Sequence, residues 1–453
     1  MKNLIEKYNV PGPRYTSYPT VPFWKNNPLK QDDWFSSIHS NQKEFESNEL
    51  SVYIHLPFCE SLCTFCGCHK RITKNHSVET PYIDTVIKEW GLYLKEFNFS
   101  PVIKEMHFGG GTPTFFQPDE LIRLVQAIFK KESINPNEVE LSFEAHPSNT
   151  SDEHLQKLYD FGFRRLSLGI QDYSPIVQKA INRIQPFEEV ELVHNKAKEI
   201  GYTSISHDLV FGLPKQTLED IVDTVNKTLL LKPDRIALYS YAHVPWIKGV
   251  GQRGFDESDL PKDNEKRTLY LTAKKMLETA GYLEIGMDHF ALPHDDLAIA
   301  FQNKNLHRNF MGYTTQNTPF LLGLGMSSIS DSWFGFAQNE KSVEDYKERV
   351  NKGEIPIFRG HVLNGLDLEL RKYILDLMCH FETSFNPDSP HRDMHSEIKN
   401  RLSEMIKDGL VKISGDKVTV TTDGIPFVRN CCMAFDNDLA TNIKQDNMFS
   451  KTI

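Results

Sequence analysis

The chain has 453 residues, 39% of them hydrophobic, and 51 Lys and Arg against 61 Asp and Glu give a formal net charge of −10. That length predicts two or three domains with a substantial core, and the negative balance argues against a general nucleic-acid binder, which would carry a basic surface. No run approaches the roughly eighteen apolar residues of a membrane span, and MKNLIEKYNV has no signal-peptide core. The expected setting is therefore a reducing cytoplasm, and the seven cysteines do not read as a disulfide framework.

The chain opens with VPGPRYTSYPT, where Pro11, Pro13 and Pro19 forbid a regular helix and favour extended or turn backbone. Residues 1–50 read as an arm packed by Tyr15 and Tyr18. Next comes YIHLPFCESLCTFCGCHK, residues 53–70, in which Cys59, Cys63, Cys66 and Cys68 directly follow a short apolar strand. Structural zinc usually pairs two Cys-x2-Cys units far apart in sequence, which leaves zinc as the minor alternative. Soft thiolates also hold iron–sulfur clusters. Three cysteines at x3 and x2 spacing can wrap one cubane and leave its fourth iron open to a substrate.

From 51 to about 242, apolar runs alternate with helical patterns, the signature of a parallel α/β architecture. The predicted strands cover 52–55, 105–108, 139–144, 165–170, 204–210 and 235–240. Between them lie helices such as 118–130, with Leu121, Leu124, Val125 and Ile128 at helical spacing. Six β/α units fall short of the eight of a closed barrel, so an open partial barrel is predicted. Its chemistry belongs at the C-terminal strand ends, where His55 and the cysteine loop, the GGGT run, Glu144, Gln171, Asp208 and Tyr241 to His243 gather. A helix over 262–280 follows, then His-rich segments in which His289 and His307 fit no metal spacing. From about 365, helices precede a hairpin turning at Gly415-Asp416, a winged-helix-like order. Cys379, Cys431 and Cys432 read as buried free thiols.

Cys59, Cys63 and Cys66, with Phe65 before the last, resemble the signature of the radical S-adenosylmethionine (SAM) enzymes. The additional Cys68 in GCHK, YIHLPFC and the PGPRYTSYPT arm resemble the oxygen-independent coproporphyrinogen III oxidase branch. The resemblance implies an α/β fold: an open partial (β/α)6 barrel with an N-terminal arm and a mostly helical C-terminal domain. The divisions would be 1–50, 51–245, 246–364 and 365–453. It implies a [4Fe-4S] cluster on Cys59, Cys63 and Cys66, and two SAM sites. The first would be lined by Tyr53, Phe65, Gly110, Glu144 and Ile329, the second by Gly111, Thr112, Gln171, Arg183, Asp208 and Ala242. Cys68, His55 and Phe310 are the implied catalytic residues. Met311 and His146 stand where the family has Gln and often Asp.

The implied reaction turns the ring A and ring B propionates of coproporphyrinogen III into vinyl groups, giving protoporphyrinogen IX for haem biosynthesis. Arg14, Lys70, Arg71 and Lys74 are the nearest cations for its carboxylates. An electron donor of flavodoxin or ferredoxin type, a monomeric state, and no membrane or nucleic-acid partner complete the expectation. A haem-binding chaperone or a haem-modifying radical enzyme on the same scaffold is the alternative.

Overall fold

Alternation of apolar and polar residues builds the central sheet. In the computed structural model, which describes residues 2–244, 252–441 and 449–452, all six expected strands are present. They are β1 (Glu49–Leu56), β2 (Val102–Gly110), β3 (Glu140–Ala145), β4 (Arg165–Gln171), β5 (Ser204–Phe211) and β6 (Arg235–Ser240). Each is parallel to the next. Parallel neighbours need crossovers, which α1 (Glu79–Glu96), α2 (Pro118–Phe129), α3 (Asp152–Phe161), α4 (Phe187–Ile200) and α5 (Leu218–Leu231) supply. The boundary expected at residue 245 lies outside the described residues.

Local chemistry sets the helix ends. Pro118 sits in the first turn of α2 with Asp119 and Glu120, where the fixed φ and the acids suit a helix N-terminus. Capping boxes open α3 at Ser151 and α5 at Thr217. Val52, Ile54, Met106, Phe108, Leu141, Phe143, Leu166 and Leu168 are buried with the helix residues Leu121, Leu124, Leu155 and Val190 in one core. Each such side chain contributes about 1.5–3 kcal/mol. The alternate residues of the same strands point the other way and are polar.

The sheet continues beyond the six strands. On the β6 side, β7 (Leu283–Gly286) and β8 (His289–Ala291) add antiparallel. On the β1 side, β9 (Leu321–Leu324) adds parallel, followed by β10 (Ile329–Asp331), β11 (Gly335–Asn339) and β12 (Ile357–Val362). The order of the twelve is β12-β11-β10-β9-β1-β2-β3-β4-β5-β6-β8-β7.

Contacts divide the chain into two units. One joins Pro28–Asp295 to Thr318–Gly360 and contains the barrel. The other joins Met1–Asn27, Asp296–Asn317 and His361–Ile453. In the latter, the strands Val411–Ser414 and Lys417–Val420 form the expected hairpin, with Gly415 at φ +62°. There Arg429 gathers the carbonyls of Gly12, Pro13, Lys451 and Thr452, and Tyr15 Oη donates to Asp436 at 3.0 Å. Cys379, Cys431 and Cys432 are buried free thiols. Among the described residues no helix is long and apolar enough to cross a membrane.

Candidate active site

The cysteine loop leaves the C-terminal end of β1 and is held from two sides. Phe58–Cys59 pairs with Arg71–Ile72, with Arg71 N–H on Pro57 C=O at 2.8 Å and Thr73 N–H on Cys59 C=O at 2.9 Å. From the turn before α4, Ile181 C=O accepts Thr64 N–H at 2.9 Å, Ala180 C=O accepts Thr64 Oγ1 at 3.0 Å, and Asn182 Nδ2 donates to Leu62 C=O at 2.7 Å. Asn182 is left-handed at φ 52°, a conformation Asn tolerates better than most residues.

Donors surround the sulfurs. Thr112 Oγ1 is 3.3 Å from Cys59 Sγ, Arg183 Nη1 is 3.8 Å from Cys63 Sγ, and Cys68 N–H is 3.5 Å from Cys66 Sγ. Such donors offset the negative charge of cluster-bound thiolates. The Cys68 thiol itself hydrogen-bonds Cys66, which drives Cys66 toward the thiolate and keeps Cys68 protonated. Burial pushes Cys59 up to about 11, a cost that metal coordination removes. The glycine loop leaves no spare room beside them: a Cβ on Gly111 would lie 2.6 Å from Pro57 C and O and 3.0 Å from Cys59 Sγ. Donor set and packing together fit an iron–sulfur cluster facing an open cavity.

That cavity, about 660 Å³, collects Cys59, Cys63, Cys66 and Cys68 with Phe65, Glu144, Arg183 and Asp208. Burial alone would raise Glu144, but the His107 imidazole 3.6 Å away and the Gly110 N–H at 3.2 Å hold it below the ordinary carboxylate range. Asp208 is pushed up to about 7 by burial and by the Glu144 charge, with Ser167 Oγ donating to it at 3.0 Å. Neighbouring carboxylates with pKa values driven apart can act as an ionised acceptor and a proton-carrying partner. Arg183 binds Gly169 C=O and Gln185 Oε1, while its buried Nε has no partner among the described residues.

Of the sequence-predicted residues, Gly110, Gly111, Thr112, Gln171 and Ala242 also line this cavity. Gln171 is left-handed, at φ 71°, where β4 ends. Tyr53 and His55 lie behind the wall: Tyr53 Oη meets His55 Nδ1 at 3.2 Å, and His55 Nε2 meets His69 C=O at 2.8 Å. Burial lowers His55 to about 4, so the ring is neutral, donating from Nε2 and accepting from Tyr53. Ile329 opens β10. Phe310 belongs to the other unit, edge-on to Trp24 at 6.2 Å. In that unit too, Arg14 C=O accepts from Arg308. Lys70 and Lys74 line the cavity, and Arg71 pairs with Glu344 at 2.9 Å.

Two site residues escaped the sequence reading. His107 stacks on Tyr53, ring centroids 6.1 Å apart, and its Nδ1 meets Ser142 Oγ at 2.8 Å. His146, noted only as a departure, lines the cavity with a buried Nδ1 that has no partner among the described residues. Burial and Arg183 lower it to about 3. The available signal was alternation: Glu105, His107 and Gly109 on β2, like Ser142 and Glu144 on β3, mark one polar face.

The radical SAM superfamily pattern matches residues 53–228. The chain is 35% identical over 457 residues to the oxygen-independent coproporphyrinogen III oxidase of Pseudomonas aeruginosa, covering 100% of this chain and 98% of that protein. It is 36% identical to that of Escherichia coli K12, covering 99% and 98%, and 37% identical to that of Synechocystis, covering 99% and 97%. The solved structure of coproporphyrinogen III oxidase (HemN) from Escherichia coli, described as a radical SAM enzyme, superposes with a TM-score of 0.89 at 35% identity over 97% of this chain and 99% of that one. The chain therefore belongs to the oxygen-independent coproporphyrinogen III oxidases, oxidoreductases of the radical SAM superfamily.

Proposed function

We propose that this enzyme converts the propionates on rings A and B of coproporphyrinogen III to vinyl groups, giving protoporphyrinogen IX. The observation that carries the reading is one cavity in which the four free thiols of Cys59, Cys63, Cys66 and Cys68 meet Glu144, Asp208 and Arg183. Its cofactors are a [4Fe-4S] cluster and SAM. Cys59, Cys63 and Cys66 would hold the cluster, and Phe65, Gly110 and Glu144 on the cavity wall would hold SAM, with Tyr53 and Ile329 completing the site from behind it. Gly111, Thr112, Gln171, Arg183, Asp208 and Ala242 would hold a second SAM. When bound, these cofactors would supply a 5′-deoxyadenosyl radical able to take a hydrogen atom from a propionate β-carbon; the vinyl group would then follow as the carboxylate leaves as CO2 and one electron passes to an external one-electron acceptor. The initiating electron comes from a donor of flavodoxin or ferredoxin type.

The side chains bind and orient. Ionised Glu144 accepts from an ammonium group or ribose hydroxyls, and Arg183 pairs with a carboxylate. Phe65 and Tyr241 line the cavity and exclude water that would quench a radical. The Cys68 thiol keeps its proton and serves turnover without binding iron. Retention of iron by Cys68→Ser is expected, and its loss would make Cys68 a ligand.

Anaerobic turnover of iron-reconstituted protein with SAM, reductant and coproporphyrinogen III tests the reading by mass spectrometry. The expected product has lost two CO2 and four hydrogens, accompanied by 5′-deoxyadenosine. Stable haem binding with no substrate-dependent 5′-deoxyadenosine would instead favour the haem-chaperone alternative.

A further inference from the structure

We propose that Lys70, Lys341 and Arg359, grouped around His69 on the rim beside the cavity, bind those carboxylates of the tetrapyrrole that are not reacting. The inference rests on the proposed function and names the substrate contacts that function lacks.

The strand order assembles the group. β9 runs parallel to β1, β10 antiparallel to β9, and β11 antiparallel to β10. The end of β11 therefore returns to the rim at which β1 delivers the cysteine loop. Lys341 lies two residues past that end. Glu340 N–H bonds Pro356 C=O at 2.8 Å, which brings Phe358 and Arg359 of β12 alongside. Lys341 Nζ is 5.0 Å, and the Arg359 guanidinium carbon 6.0 Å, from the centroid of one Phe358 ring.

From this pair the charge runs to the cavity wall. His69 is lowered by burial and then by Lys341, Arg359 and Lys70, and Lys341 by burial and Arg359. The charges acting on both are positive. His69 C=O is the group that His55 Nε2 meets at 2.8 Å. Lys70 lines the cavity with Nζ on the carbonyls of Cys66 and Cys68 at 3.2 and 3.3 Å. The nearby acids Glu340 and Glu344 pair with Arg349 at 3.1 Å and Arg71 at 2.9 Å.

Gathering like charges costs free energy that a bound anion returns. A chain of net charge −10 that concentrates cations beside its reaction cavity fits a polyanionic ligand. Coproporphyrinogen III carries four propionates, and with one at the reacting centre three carboxylates remain to be held. A guanidinium fork and ammonium groups suit them.

The test is fluorescence titration of coproporphyrin III, the stable oxidised form with the same carboxylates, into iron-reconstituted protein. Lys341→Gln and Arg359→Gln should each weaken binding about tenfold, the loss expected for one charged hydrogen bond. Arg359→Lys, which keeps the charge and guards against misfolding, should retain most of the affinity. Lys227→Gln on α5, whose residue pairs with Asp223, should change nothing, and SAM affinity should stay constant throughout. The tetramethyl ester should bind all variants alike. Affinity for coproporphyrin III within twofold of wild type in both glutamine variants overturns the site and leaves the function standing. Wild-type protein that binds no coproporphyrin III overturns both.

Discussion

Gly111→Ala perturbs the point where the glycine loop meets the cysteine loop. The new Cβ would lie 2.6 Å from the backbone carbon and oxygen of Pro57, whereas ordinary contact begins near 3.4 Å. The gap must open by about 0.8 Å, and the obstacle is backbone that is itself pinned by Arg71 N–H at 2.8 Å. The glycine loop is held as firmly, with Gly111 N–H on Leu56 C=O at 2.9 Å and Thr112 N–H on Phe58 C=O at 3.0 Å. The displacement therefore carries Thr112 Oγ1 away from Cys59 Sγ, now 3.3 Å distant. Overpacking of this kind costs about 1–3 kcal/mol, and misplacing reacting groups by roughly 1 Å can cost about a hundredfold in rate. Iron content after anaerobic reconstitution, SAM affinity by calorimetry and 5′-deoxyadenosine formation measure the three effects separately. The expected variant folds with a lowered Tm, binds SAM at least tenfold more weakly and turns over about a hundredfold more slowly. A variant with wild-type Tm and wild-type SAM affinity would refute the claim that this contact is tight.

Glu89, fully buried, accepts from Gly325 N–H, Tyr346 Oη and Asn339 Nδ2 at 2.8, 2.6 and 2.6 Å. Glu89→Gln sets an amide N–H against one of these donors and should cost about 1–3 kcal/mol in urea unfolding; an unchanged midpoint would count against the network. Asp208 titrates near 7, so its ionised fraction falls as pH drops below that value. SAM affinity should weaken from pH 8 to pH 6, and Asp208→Asn should flatten the profile. Buried His194 and His207 touch at 3.0 Å, and burial lowers His194 to about 4 and holds His207 well below its ordinary value. The unfolded chain takes up protons near 6.5 and the folded chain does not, so stability is present at neutral pH and lost as pH falls from about 7 toward 4. His194 alone accounts for about 3 kcal/mol. Tm should drop between pH 7 and pH 5, and His194→Gln should shrink the drop.

The six parallel strands and the cysteine loop were legible in the sequence because each is a property of contiguous residues. Val52 and Ile54, or Phe143 beside Glu144, display period two within a few positions, and the thiols of Cys59, Cys63 and Cys66 share one loop whatever surrounds it. The flanking strands were not legible. β9 to β11 are three to five residues long, β9 and β11 each carry a glycine, and they are strands only because β1 offers an open edge. Nor could spacing place His107 under Glu144, prop Leu62 with Asn182, or bring Lys341 alongside the Phe358 ring, since each contact closes a loop of about ten to a hundred residues or more. The sequence names Glu144 and Asp208 as acids at strand ends. Only the tertiary structure, by half-burying both in one cavity and setting His107 beside one of them, makes the first an ionised acceptor and the second a group that titrates near neutrality.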